Sequence, residues 1–237
     1  MKKILGIILI FLSILGLVYA QEDVLKNIEK KLSTAKDISM KMTITTYSYS
    51  SKGESLPTKM SMELKTIKDP EILRVDFKEP AILAGQIFLL DGEKKITRMY
   101  SPSTKEIIES PYTMTQTSTT GATSIPMVGE SGKDFSITIE EVSEKNQKLY
   151  KIKGIPQKAE LKAQYSSLEL YVTKDYMPVR LKMYDVQNRL YMEIVWDEIK
   201  INSNLSPNQL RTLPPGKIIR QKTPSTTIPL PFVAPTK

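Results

Sequence analysis

Apolar and polar side chains alternate along most of this chain. From Ile38 to Tyr49, Ile38, Met40, Met42 and Ile44 alternate with Ser39, Lys41, Thr43 and Thr45. That period of two predicts a strand with one covered face. Met60, Met62 and Leu64 repeat the pattern, as do Val75 and Phe77, with Asp69-Pro70 and Glu79-Pro80 as breaks. Gln86 to Leu90, which carries Phe88, is apolar enough for both faces to be covered. Asp91-Gly92 then predicts a two-residue hairpin turn with φ > 0, returning through Lys95 to Tyr100 with Met99. Ser101-Pro102-Ser103 turns that strand into Lys105 to Ile108. The stretch Thr58 to Ile107 therefore reads as a β-meander, one wall of a half-open apolar β-structure.

Before it, Glu22 to Thr34 has a helical period. Val24, Leu25, Ile28 and Leu32 form one stripe, and Lys26, Asn27, Glu29, Lys30 and Lys31 the other. From Ser110 to Gly132 no period is sustained, and a long loop is expected. Strand patterns return at Phe135 to Val142, Leu149 to Ile155, Ser167 to Val172, Pro178 to Tyr184 (with Met183) and Leu190 to Trp196. In the last of these, Leu190, Met192, Ile194 and Trp196 share a face. Residues 220–237, with four prolines, are expected to be an extended or disordered tail.

Composition narrows the chemistry. With no cysteine and no histidine, the chain cannot supply thiol catalysis, a Ser-His-Asp triad, cysteine-based zinc or iron-sulfur sites, or disulfides. Residues 1–20 read as a cleaved secretory signal: Lys2 and Lys3, the apolar run Ile4 to Val18, and Val18-Tyr19-Ala20 before the cut. The run is shorter than the ~20 residues a spanning helix needs. No cysteine follows it to carry a lipid, so a soluble exported protein is expected. The formal charge of +8 comes from lysines scattered among glutamates, without the basic-aromatic clustering of a nucleic-acid groove. A transient contact with anionic membranes suits it better. One domain over 21–219 and a monomer are the expectation.

Carboxylates stand side by side at Glu140-Glu141 and Asp197-Glu198, but alternation sends strand neighbours to opposite faces. Gly132-Lys133 lacks the Ser or Thr and the upstream glycine of a phosphate-binding loop. No enzyme activity, metal or cofactor is expected. The clearest functional signal is methionine on adjacent strands, an unbranched, polarisable side chain suited to apolar surfaces that must re-pack. The cavity residues expected on this basis are Met40, Met42, Ile44, Met60, Met62, Leu64, Val75, Phe77, Phe88, Leu90, Met99, Met183, Met192 and Trp196. A binding or sensor module that engages envelope proteins or polysaccharide through sheet edges or the long loop is the competing reading. With aromatics at 7% and a single tryptophan, a sugar-stacking platform is poorly supplied.

The order of helix, two strands, the Lys68-Asp69-Pro70 corner, ILRVDF, a strand ending in Asp91-Gly92 and one closing in Tyr100-Ser101-Pro102 resembles the periplasmic outer-membrane lipoprotein carriers (LolA-like) and lipoprotein-sorting proteins. LELYVTKDYMPVRLKMYD and INSNLSPNQLRTLPPGKII are similar to that family's later strand-turn-strand and closing segment, and GESGKDFSITIEEV loosely to a further stretch. The resemblance implies a mainly β (α+β) fold, an unclosed antiparallel β-barrel or strongly curved sheet wrapped around the N-terminal helix. It implies a concave face that takes lipoprotein acyl chains across the periplasm between an inner-membrane donor complex and an outer-membrane acceptor. Val24, Leu25, Ile28 and Leu32 would then belong to a lid helix. The family's corner carries arginine where this chain has Asp69, so a latch of that kind is not expected here.

Overall fold

The computed structural model describes residues 23–112, 125 and 127–222. The expected signal segment, most of the Ser/Thr-rich loop and the tail beyond residue 222 lie outside them. The described residues divide into two compact units, residues 35–112 with 192–222 and residues 23–34 with 125 and 127–191.

The larger unit is an open ladder. It contains β1 (Asp37–Tyr49), β2 (Ser55–Ile67), β3 (Ile72–Glu79), β4 (Ile87–Asp91), β5 (Ile96–Ser101), β6 (Glu106–Pro111), β11 (Leu190–Ile201, from Met192) and β12 (Lys217–Arg220). The order is β12-β6-β5-β4-β3-β2-β1-β11. Every neighbouring pair is antiparallel except β12 and β6, which run parallel. The mainly β, open and antiparallel expectation therefore holds, with one parallel addition at the edge.

Two turns correct the sequence reading. Asp91 pairs with Ile96, so four residues intervene rather than two, and the positive φ falls on Lys95. The β5-β6 turn repeats the form, with Ser101 opposite Glu106 and positive φ at Lys105. Gly92 is needed for space instead: a Cβ there would stand 2.9 Å from Glu71 Cβ and 3.2 Å from its carbonyl oxygen. The strand β6 also continues through Ser110 and Pro111, which the sequence assigned to the loop.

Residues 202–213 pack on the outer face of this ladder. In that segment Ser206 caps the short helix α3 (Pro207–Arg211), accepting from the Gln209 N–H. Leu210 is buried with Ile67, Ile72 and Leu89, and Leu205 packs beside them. Leu213 covers Ile87, Tyr100 and Ile107. Arg74 donates from Nη1 to the carbonyls of Leu210 (3.1 Å) and Thr212 (2.6 Å), and is itself held by Asp76. Upstream, buried Asp37 accepts from Ser203 N, Ser203 Oγ and Asn204 N at 2.8–3.0 Å.

In the smaller unit, β7 (Phe135–Glu144), β8 (Gln147–Pro156), β9 (Ser167–Thr173) and β10 (Pro178–Tyr184) pair in that order, all antiparallel. A 3₁₀ turn (Gly129–Asp134) leads into them, and α2 (Ala159–Lys162) links β8 to β9. The helix α1 (residues 23–33) buries Val24 and Ile28 and half-buries Leu25 and Leu32, the stripe read from the sequence. Ile28, Met127, Ile152, Leu168, Leu170 and Leu181 are fully enclosed. Met127 rests against Gly154, where any Cβ would collide with its thioether.

Candidate functional site

Paired residues in a sheet share a face, so the registers of the larger unit place each expected cavity residue. One row crosses seven strands: Met40, Leu64, Val75, Phe88, Met99, Ile108 and Ile219 are successive partners. At the ~4.8 Å strand spacing this row extends roughly 29 Å. A second row joins Trp196, Met42, Met62 and Phe77, and a third joins Ile194, Ile44 and Met60. Leu90 faces Leu73 two positions along, and Met192 lies opposite Thr46. Thirteen of the fourteen residues thus share one face of one ladder. The exception is Met183, which lies in the smaller unit opposite Leu168.

The face is graded in exposure. At its centre Met42, Met62, Leu64, Val75, Phe77, Phe88 and Leu90 are buried. Met60 and Met99 are half-buried, and at the β6-β12 edge Ile108 and Ile219 reach 38% and 36% exposure. At one end Thr66, Thr97 and buried Ser110 replace the apolar side chains; Thr66 donates to the Ile72 carbonyl and Ser110 to Gln221 Oε1. None of these rows carries an ionisable side chain.

Apart from the Glu106-Lys217 pair at the β6-β12 edge, the paired charges of the ladder's middle lie on the opposite face. Lys65 pairs with Glu63, Arg74 with Asp76, and Arg98 with Glu109. The hydrogen bond from Arg98 is the main force holding the Glu109 carboxyl below its usual range, with Arg220 adding to it against a burial penalty. Buried Asp91 accepts from Arg211 Nε at 2.8 Å and Nη2 at 3.2 Å, and from the Lys94 N–H at 3.2 Å. Its burial disfavours the charge, but these donors outweigh it and lower its pKa.

The smaller unit has its own polar cluster. Glu169 accepts from the hydroxyls of Tyr171 and Tyr184, both at 3.1 Å, and pairs with Lys151 at 3.1 Å. Burial, then the adjacent Glu169 charge, pushes Tyr184 up to about 12. The Arg180 guanidinium lies 4.1 Å from the Tyr171 ring centre. Among the described residues no group of acidic side chains could hold a metal ion.

A family model described as "-like: Uncharacterized protein" matches residues 73–213, over half of the chain. The chain belongs to this family. The matched span runs from β3 through the outer-face segment, and β1, β2 and β12 lie outside it. No curated protein matches the sequence. Among solved structures, an uncharacterized conserved protein from Thermus thermophilus is 19% identical, with 85% of this chain and 99% of that one covered and a TM-score of 0.52. The two share a fold. A LolA superfamily protein from Nitrosomonas europaea aligns over 81% of this chain and 97% of that chain, at 14% identity and a TM-score of 0.36. The Pseudomonas aeruginosa MucA/MucB complex aligns over 80% of this chain and 61% of that chain, at 10% identity and a TM-score of 0.47.

Sequence reasoning put Ile38 on the face of Met40 and Ile194 on that of Trp196 but left both out of the cavity set, and it left out Leu73, Ile108 and Ile219 of the same face as well. Their parity was readable in the alternation for all but Ile219, whose strand has only four residues.

Proposed function

We propose that this family member is an exported, non-enzymatic carrier whose apolar ladder face receives acyl chains of lipoproteins or other lipids in the periplasm. The supporting observation is the face itself: uninterrupted apolar rows across as many as seven strands, rich in methionine and free of ionisable groups. A chain of about 16 carbons gains on the order of 12 kcal/mol on leaving water at ~0.8 kcal/mol per CH₂. An apolar, re-packable surface therefore suffices for binding, and no reaction chemistry is required. Release to an acceptor membrane is then close to isoenergetic, and direction comes from the donor and acceptor.

Because the central side chains are buried, cargo must displace whatever covers them. Titration of the full chain with a fluorescent fatty acid tests the reading. Saturable uptake that Met42→Asp and Met62→Asp abolish, with Ile155→Asp on the smaller unit as control, supports it. Absence of uptake by the unmodified chain overturns it.

A further inference from the structure

The most exposed large apolar side chain among those described is Ile82, at 83%. It stands in the β3-β4 connection, Pro80 to Gln86, where Pro80, Ala81, Ala84 and Gly85 are also exposed. This connection is built and not slack. Leu83 and Ala84 donate their N–H groups to the Pro80 carbonyl, and Gln86 donates to that of Leu83. Gly85 N–H reaches Phe77 O at 2.9 Å, and the Gln86 side-chain amide donates to Ile82 O at 3.2 Å. Gly85 has positive φ (80°) and leaves ordinary contact distance, 3.4 Å from where its Cβ would be, to Pro102 of the β5-β6 turn. The loop therefore presents an apolar tip with much of its backbone already hydrogen-bonded, which lowers the cost of taking it out of water.

The same end of the ladder carries a second exposed apolar side chain and a set of lysines. Leu56, 56% exposed, lies on the part of the β1-β2 ribbon that runs beyond the Ser61-Glu79 pairing with β3. Lys52, Lys59, Lys78, Lys105 and Lys217 are all exposed at this end, placed there by the β1-β2 turn, the ends of β2 and β3, the β5-β6 turn and the start of β12. Glu54, Glu79, Glu106 and Glu193 oppose them, with Lys59 approaching Glu79 at 3.6 Å and Lys78 approaching Glu63 at 4.0 Å, so the five lysines outnumber the four glutamates of this rim by one. Long lysine stems around a projecting isoleucine match an interface where apolar groups enter among acyl chains and ammonium groups meet phosphates.

We propose that this rim docks the protein on an anionic lipid bilayer, with Ile82 entering the interface and the lysines meeting the headgroups. The proposal is independent of the carrier reading, since none of these residues lies in the buried rows. The chain has no cysteine, so full-length Ile82→Cys can be labelled at one place with a polarity-sensitive dye. The dye signal is expected to report an apolar environment with phosphatidylglycerol vesicles and to stay aqueous with phosphatidylcholine vesicles. In co-sedimentation, Ile82→Asp lowers binding to phosphatidylglycerol vesicles about tenfold or more, and Lys52→Glu with Lys105→Glu weakens it in a salt-dependent way. Both variants keep the thermal midpoint and the fatty-acid uptake of the unmodified chain. A dye that stays aqueous with both vesicles, equal binding to the two lipids, or unimpaired binding by Ile82→Asp overturns the proposal.

Discussion

Replacing Arg211 by alanine tests how the outer-face segment is held. The Asp91 carboxylate is 1% exposed and receives two charge-assisted bonds from Arg211, at 2.8 and 3.2 Å. Glu93 also contacts this guanidinium. After Arg211→Ala, Asp91 keeps only the Lys94 N–H in a site too closed for full hydration. Removing one partner of a buried pair costs ~3–5 kcal/mol, and since Arg211 itself is partly reached by water the lower end, about 3 kcal/mol, is expected. For a chain of this size that corresponds to a fall of about 6–12 °C in Tm. In urea, the midpoint should fall with an unchanged slope. Asp91→Asn with Arg211→Met removes the charge and its partner together, and should lose less than the single change. The lowered pKa of Asp91 fixes the pH window. Its contribution is present above the unfolded carboxylate value, about 3.9, and disappears as pH falls through the lower folded value. A loss below about 1 kcal/mol for Arg211→Ala, or a double variant as unstable as the sum of its parts, would refute the reasoning.

Three further outcomes follow from the geometry. Gly92→Ala should destabilise by about 1–3 kcal/mol, because its Cβ meets Glu71 Cβ and backbone oxygen at 2.9 and 3.2 Å; a neutral effect in urea unfolding would contradict that. Tyr184, raised to about 12, should resist ionisation in an alkaline absorbance titration, and Glu169→Gln should bring it down. Since the folded value exceeds the unfolded one, its stabilising effect is full below pH 10 and is lost between about pH 10 and 12. Hydrogen exchange should find the α1 amides less protected than those of β1 and β3, and still less so with bound fatty acid; equal protection throughout would rule out a movable lid.

Legibility of the fold in the sequence depended on whether a segment's partner was local. The alternation of β1 to β3 and the breaks at Asp69-Pro70 and Glu79-Pro80 announce a meander, because each strand pairs with its neighbour and needs a covered face on one side only. The same parity put thirteen candidate residues on one face. Non-local contacts were not readable. Lys217 to Arg220 is too short for a period, and β12 exists because β6, more than a hundred positions earlier, offers an edge. The outer-face segment carries Leu205, Leu210 and Leu213 at no regular spacing, since the first two join one cluster with Ile67, Ile72 and Leu89 while Leu213 covers another at Ile87, Tyr100 and Ile107. Asp91-Gly92 misled for a different reason: the pair is common in two-residue turns, whereas here the glycine answers the closeness of Glu71 and the positive φ falls on Lys95. Ile82 is plain in the sequence as an apolar residue between two breaks, but only the loop's hydrogen bonds show that it points to solvent.

The account depends most on what the ladder's apolar face holds. Native mass spectrometry of the full chain purified from the envelope measures this directly. The account predicts a population carrying co-purified lipid or lipoprotein that Met62→Asp removes while the variant stays folded. A clean apo mass, together with no uptake of added fatty acid, would contradict it.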